Sequence, residues 1–76
     1  MYVLAKHRIK DAEATLDRLR KEIQAIDQRL ADGELYLRNP AEAARLAKSR
    51  SEATRSVTAT EETWLTLAAE LEAAGS

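Results

Sequence analysis

The stretch from Ile9 to Leu30 constrains the fold more than any other. Its apolar residues are Ile9, Ala12, Leu16, Leu19, Ile23, Ile26 and Leu30, and their spacing alternates three and four without a slip. That is the seam of a helix built to lie along another helix. Tyr2 and Ala5 carry the same register backwards. A second seam follows in the same chain: Ala43, Leu46, Arg50, Ala53, Val57, Thr60, Trp64, Leu67 and Leu71. Tyr2 to Leu30 and Ala43 to Leu71 each span 28 positions. Two equal arms joined by a short connection predict an all-α fold, an antiparallel two-helix coiled-coil hairpin with a short helical turn at its tip. The expected boundaries within the single domain 1–76 are arm one over about 2–31, the tip over 32–39 and arm two over about 40–73.

Antiparallel arms of equal length put residues whose numbers sum to about 73 opposite each other. Leu16 is then expected against Val57, Ile9 against Trp64, and Tyr2 against Leu71. Ile23 falls opposite Arg50, whose stem can pack while its head reaches water. Trp64 is expected in the core, with the small Ala5 and Ala12 on either side of its partner. A stacking platform for a nucleic-acid base is the alternative for this indole.

The arms differ in quality. Arm one is rich in good helix formers, and i,i+4 pairs such as Asp17 with Lys21 and Arg18 with Glu22 support it. The middle of arm two carries many Ser and Thr residues, which are mediocre helix formers, so it should depend on docking to arm one. Between the arms, Asp32-Gly33 should stop the first helix, with Gly33 in the left-handed position. Leu35, Tyr36 and Leu37 are expected to fold partly over the tip. Asn39-Pro40-Ala41-Glu42 should restart the helix, with Asn39 as N-cap, Pro40 in the first turn and Glu42 as the capping-box acid. Gly75-Ser76 is expected to fray.

Composition narrows the function. Of 76 residues, 33% are charged, and only three are Gly or Pro, which favours long solvated helices. The absence of Cys rules out a disulfide framework, a thiolate zinc site and a cysteine nucleophile. No apolar run approaches the roughly 20 residues of a membrane span, and no signal-type segment follows the basic N-terminus. A cytoplasmic protein with no membrane partner is the expectation. No phosphate-binding glycine loop, nucleophile elbow or metalloprotease pair is present. His7 and Asp11 are four apart but lack a third ligand, so a solvated pair is the better reading. Glu61-Glu62 reads as a charged solvent face, since a two-helix rod offers no cleft. No active site and no cofactor are expected in these residues.

Charge is polarised along the rod. The tip half, residues 18–55, holds nine bases and six acids, a net of +3. The remaining residues hold three bases and seven acids, a net of −4, which together give the overall −1. Lys10, Arg18, Lys21 and Arg29 line the outer face of arm one, and Arg45, Lys48 and Arg55 recur near one face of arm two. With Arg38 at the tip, such stripes can meet phosphates. They are interleaved with acids, so a salt-bridged solvated surface explains them as well. Tyr36, flanked by Arg38 and Arg45, either caps the tip or touches a partner there.

The stretch Leu30-Ala31-Asp32-Gly33-Glu34-Leu35-Tyr36-Leu37-Arg38-Asn39-Pro40 resembles a segment in the C-terminal domain of ABC-F ATPases. There the two helices are joined by leucine-alanine-aspartate-proline-x-leucine-tyrosine-x-x-aspartate-proline. Glu61-Glu62-Thr63-Trp64-Leu65 resembles that domain's glutamate-x-x-tryptophan ending. Gly33 replaces the family's usual proline and Asn39 its usual aspartate. The resemblance implies that the chain is the C-terminal part of a protein with two ATP-binding cassettes and no membrane domain. ATP and Mg would then belong to the parent rather than to this domain. It also implies DNA or ribosomal RNA as partner, in contact with the hairpin, and a ribosome-associated parent whose ATPase core is a further neighbour. The rival reading is a protein-interaction module, including a homodimer that pairs two hairpins into four helices. A transfer-RNA-binding arm of a synthetase is a third possibility, against which the leucine-tyrosine tip argues.

Overall fold

The computed structural model describes residues 2–75, and of Tyr2 the backbone alone. Helix α1 spans Tyr2–Leu30, α2 spans Gly33–Arg38 and α3 spans Pro40–Gly75. At about 1.5 Å per residue the two long helices are roughly 43 and 54 Å long. They pack antiparallel into a rod of 57 × 14 × 14 Å.

The two seams form the core. Ala12, Leu16, Leu19, Ala43, Leu46, Ala53 and Leu67 are buried. Ile9, Ile23, Ile26, Leu30, Val57, Thr60, Trp64 and Leu71 are half-buried. Among the described residues no large side chain is sealed completely. A two-helix rod leaves every seam residue open on at least one flank, so the core is a thin line, as the sequence predicts. Arg50 is the seam position that stays exposed.

The ion pairs that join the two long helices, Arg29–Glu42, Asp27–Arg50 and Arg20–Glu61, have numbers that sum to 71, 77 and 81, so they centre a few residues above the expected 73. Leu16 shares a groove with Trp64 and Leu65, and Ile9 shares one with Leu71. Those two pairs, Leu16 with Trp64 and Ile9 with Leu71, sum to 80, whereas Arg8 with Leu67 and Ala12 with Thr63, which share another groove, sum to 75. At the tip, α2 packs mainly against α3. Leu35 of α2 is half-buried, and Ala43 and Leu46 at the start of α3 are buried. Sliding one helix along the other by a seam step keeps every seam residue on its seam, so the periodicity alone does not fix the register. The expected partnership of Tyr2 with Leu71 falls on a side chain outside the described residues.

The tip turns by capping. The Ala31 N–H donates to Asp27 O at 2.9 Å and the Asp32 N–H to Arg29 O at 3.2 Å, which ends α1. Asp32 is extended, at φ −77° and ψ 102°, and its Oδ1 accepts from the Glu34 N–H at 3.0 Å. Asp32 is thus the N-cap of α2, and Gly33 is the first residue of that helix. The left-handed glycine expected here is absent, because no described glycine has positive φ. A new N-cap makes the reversal without one. The Asn39 N–H closes α2 on Leu35 O at 2.8 Å, while Asn39 Oδ1 accepts from the Glu42 N–H at 3.1 Å. Asn39 caps α3 and Pro40 opens it, as expected. Glu42 does not complete a capping box, since the Asn39 N–H is already satisfied, and its carboxylate is left for side chains.

Of the three apolar tip residues, Leu35 alone covers the hairpin. Tyr36 is 52% exposed and Leu37 84%. Each residue turns about 100° around a helix, so three in succession cannot share one inward face. Helix α3 continues to Gly75, past the expected fraying point, and Ser76 lies outside the described residues. The hydroxyls of Thr54, Thr58, Thr63 and Thr66 each donate to the carbonyl four residues earlier, so these residues find their partners inside the helix.

Candidate nucleic-acid interface

All seven candidate bases are exposed. Arg18, Lys21 and Arg29 lie on α1, Arg38 ends α2, and Arg45, Lys48 and Arg55 occupy α3. Five of them hold an acid. Arg18 Nη1 lies 3.0 Å from Glu22 Oε1, and Lys21 Nζ lies 3.0 Å from Asp17 Oδ2. Arg38 Nη2 stands 3.5 Å from Asp32 and 3.4 Å from Glu34. Arg29 Nη1 is 3.2 Å from Glu42 Oε1, and Arg45 Nε donates to Glu42 Oε2 at 2.9 Å. Lys48 and Arg55 have no ion pair among the described residues. Most of these pairs are solvated, and an exposed pair contributes little net stability.

Three acids receive an arginine from the opposite long helix: Glu61 from Arg20 at 3.5 Å, and Glu42 and Asp27 in closer geometry. Glu42 receives both Arg45, its i+3 neighbour, and Arg29 from α1. Its side chain is 20% exposed, against 55% for Arg29 and 63% for Arg45. The hydrogen bond from Arg45, then the charges of Arg45 and Arg29, hold the Glu42 carboxyl below its ordinary range. Asp27 receives Arg50, whose Nε and Nη2 grip Oδ1 and Oδ2 as a fork. That hydrogen bond, more than the charge, lowers the Asp27 pKa. The head of Arg50 therefore reaches the opposing helix, where the sequence pattern predicts that it reaches water.

Sequence reasoning does not single out Asp27, or Glu42 as an arginine acceptor. Asp27 lies next to the seam residue Ile26, and only the correct register brings it beside Arg50. Glu42 has a local role available, as a capping acid, that masks the cross-helix one.

The remaining candidates separate clearly. Tyr36 is exposed rather than folded over the tip, with Arg38 two residues on. Trp64 is half-buried and borders an open groove with Glu13, Leu16, Arg20, Glu61 and Leu65. Among the described residues no group of three His, Cys, Asp or Glu could hold a metal ion. Among them, too, no helix is long and apolar enough to cross a membrane.

No characterised protein and no solved structure matches the chain. A family model, the ABC transporter C-terminal domain, matches residues 4–69. That match takes in nearly all of both long helices and the whole tip, so the chain belongs to the ABC transporter C-terminal domain family.

Proposed function

We propose that the hairpin is the nucleic-acid-binding arm of an ABC-F-type ATPase and contacts DNA or ribosomal RNA through its tip half. The observation that carries this reading is the stripe Arg45, Lys48 and Arg55 on α3. Two of its three cations, Lys48 and Arg55, hold no acid among the described residues, in a half of the rod with net charge +3. Resemblance of the tip sequence to the ABC-F C-terminal domain supports the same reading. Arg18, Lys21, Arg29 and Arg38 widen the basic surface, and Tyr36 offers an exposed ring at its end. Affinity would come from phosphates, so binding should be sequence-tolerant and strongly salt-dependent. ATP and Mg would be used by the cassettes of a cytoplasmic, ribosome-associated parent, and the arm itself would catalyse nothing.

Charge reversal tests the site. The variant carrying Arg45→Glu, Lys48→Glu and Arg55→Glu should lose binding to a labelled duplex or ribosomal RNA fragment at low salt while keeping its helical circular dichroism. Binding equal to that of the unaltered chain would refute the assignment.

A second reading is favoured by a different observation. Val3 (64% exposed) borders a largely apolar groove at the base of the rod, and Leu65 (61%) borders an adjoining, more charged groove toward its middle. That face could hold the parent's ATPase core or a second hairpin. Sedimentation of the isolated hairpin across concentration separates these, since a concentration-independent monomer removes the homodimer.

A further inference from the structure

Glu42 occupies a position that an incoming anion would find favourable. Arg29 approaches it from α1 and Arg45 from α3, so a single carboxylate joins cations of both helices. The contacts are those an oxyanion attracts: Arg45 presents Nε and Nη2 as a fork, and Arg29 adds Nη1 from the side. Lys48, without an ion pair among the described residues, follows Arg45 by three residues and so lies on the same flank of α3. The carboxylate is the most enclosed member of the cluster, while both guanidinium groups remain more than half exposed. Glu42 makes no side-chain contact that the helix needs, because the N-cap of α3 is completed by Asn39 through the Glu42 backbone.

We infer that Arg29 and Arg45 form a two-helix clip for a backbone phosphate of the bound nucleic acid, and that Glu42 is its internal competitor. In the free hairpin the Glu42 carboxylate fills the clip. On binding, a phosphodiester takes over the two guanidinium groups and the carboxylate turns out to water. Glu42 thereby weakens binding and keeps the arm from holding any polyanion tightly. The inference rests on the nucleic-acid reading above.

Removing the competitor tests it. Glu42→Gln keeps the side-chain length and the cap but removes the charge that holds the arginines. Glu52→Gln is the control. Glu52 lies between Lys48 and Arg55 on α3 and has no ion pair among the described residues, so its replacement removes the same unit charge without opening the clip. Binding to a labelled single-stranded ribosomal RNA fragment and to a labelled DNA duplex is measured at low salt for the unaltered chain and both variants. Each variant is also combined with Arg45→Gln, and circular dichroism checks the fold of each.

Glu42→Gln should bind about fivefold more tightly than the unaltered chain, the weight of one close charge in water. Most of the gain should vanish in the Arg45→Gln background, and Glu52→Gln should gain less and keep its gain there. Equal gains for the two variants, both insensitive to Arg45→Gln, would reduce Glu42 to one more surface charge and overturn the clip while leaving the nucleic-acid reading intact. Failure of both the unaltered chain and Glu42→Gln to bind would overturn that reading as well. Binding by Glu42→Gln alone supports the clip in its strongest form.

Discussion

The register makes a sharp energetic claim at Leu16. This side chain is 8% exposed, on the middle of α1, and lines the same groove as Trp64. Leu→Ala changes in cores cost about 2–5 kcal/mol. The lower part of that range, about 2–3 kcal/mol, applies here, because the rod's open flank lets solvent reach part of the space left behind. A domain of this length has a stability of about 4–11 kcal/mol, and a thin core places it near the bottom of that range. Leu16→Ala should therefore remove about half of the total or more. Trp64→Leu, a milder cut than alanine, completes a double-mutant cycle. Urea unfolding followed by far-ultraviolet circular dichroism gives the four stabilities. The coupling between Leu16 and Trp64 should be about 0.5–1.5 kcal/mol, as for neighbours in contact. The equivalent cycle between Ile9 and Trp64 should give a coupling near zero. A larger coupling for Ile9 than for Leu16 would restore the expected pairing of Ile9 with Trp64 and refute the packing of Leu16 beside the indole.

Other consequences concern the tip and the ion pairs. Gly33 opens α2 with negative φ and has open space where a Cβ would stand, and Asp32 before it is already extended. Gly33→Pro, read by urea midpoint, should therefore stabilise the hairpin by about 0.4–1 kcal/mol. Asn39→Ala removes the acceptor of the Glu42 N–H and should destabilise by about 1 kcal/mol in the same assay. Leu37→Ser should leave the unfolding midpoint unchanged, because this residue is 84% exposed. The pKa values of Asp27 and Glu42 are lowered in the folded state by arginine partners. Their contribution is thus complete at neutral pH and is lost as pH falls below the ordinary values of 3.8 and 4.5 and through the depressed ones. Thermal melts should show this acid loss shrinking in an Asp27→Asn, Glu42→Gln double variant.

The hairpin is legible in the sequence because the two seams alternate cleanly and because Asn39-Pro40 is an unambiguous helix start. Pairing is not, since a slip along the seam preserves each seam and changes only which residues face each other. The six residues of mixed pattern in α2 do not reveal how far they carry the chain before α3 begins. Tyr36 and Leu37 depart from expectation for a related reason: an apolar triplet in a short helix reads as a need for cover, yet the helix has one inward face and Leu35 fills it. The basic stripes are visible as residues but not as pairings. Arg29 and Arg45 meet at Glu42 only once the helices are docked, while Lys48 and Arg55 stand out only once the acids around them are assigned.

The most direct measurement of the central claim is the salt dependence of binding. The isolated hairpin is titrated into a labelled ribosomal RNA fragment and a labelled duplex by fluorescence anisotropy between about 50 and 200 mM salt. If Arg45, Lys48 and Arg55 each meet a phosphate, the logarithm of the association constant should fall against that of salt with a slope of about −2 to −3. That is a loss of about 15- to 60-fold across the range. No binding at the lowest salt, or binding that salt leaves unchanged, would contradict a phosphate-reading arm and turn attention to the apolar base of the rod.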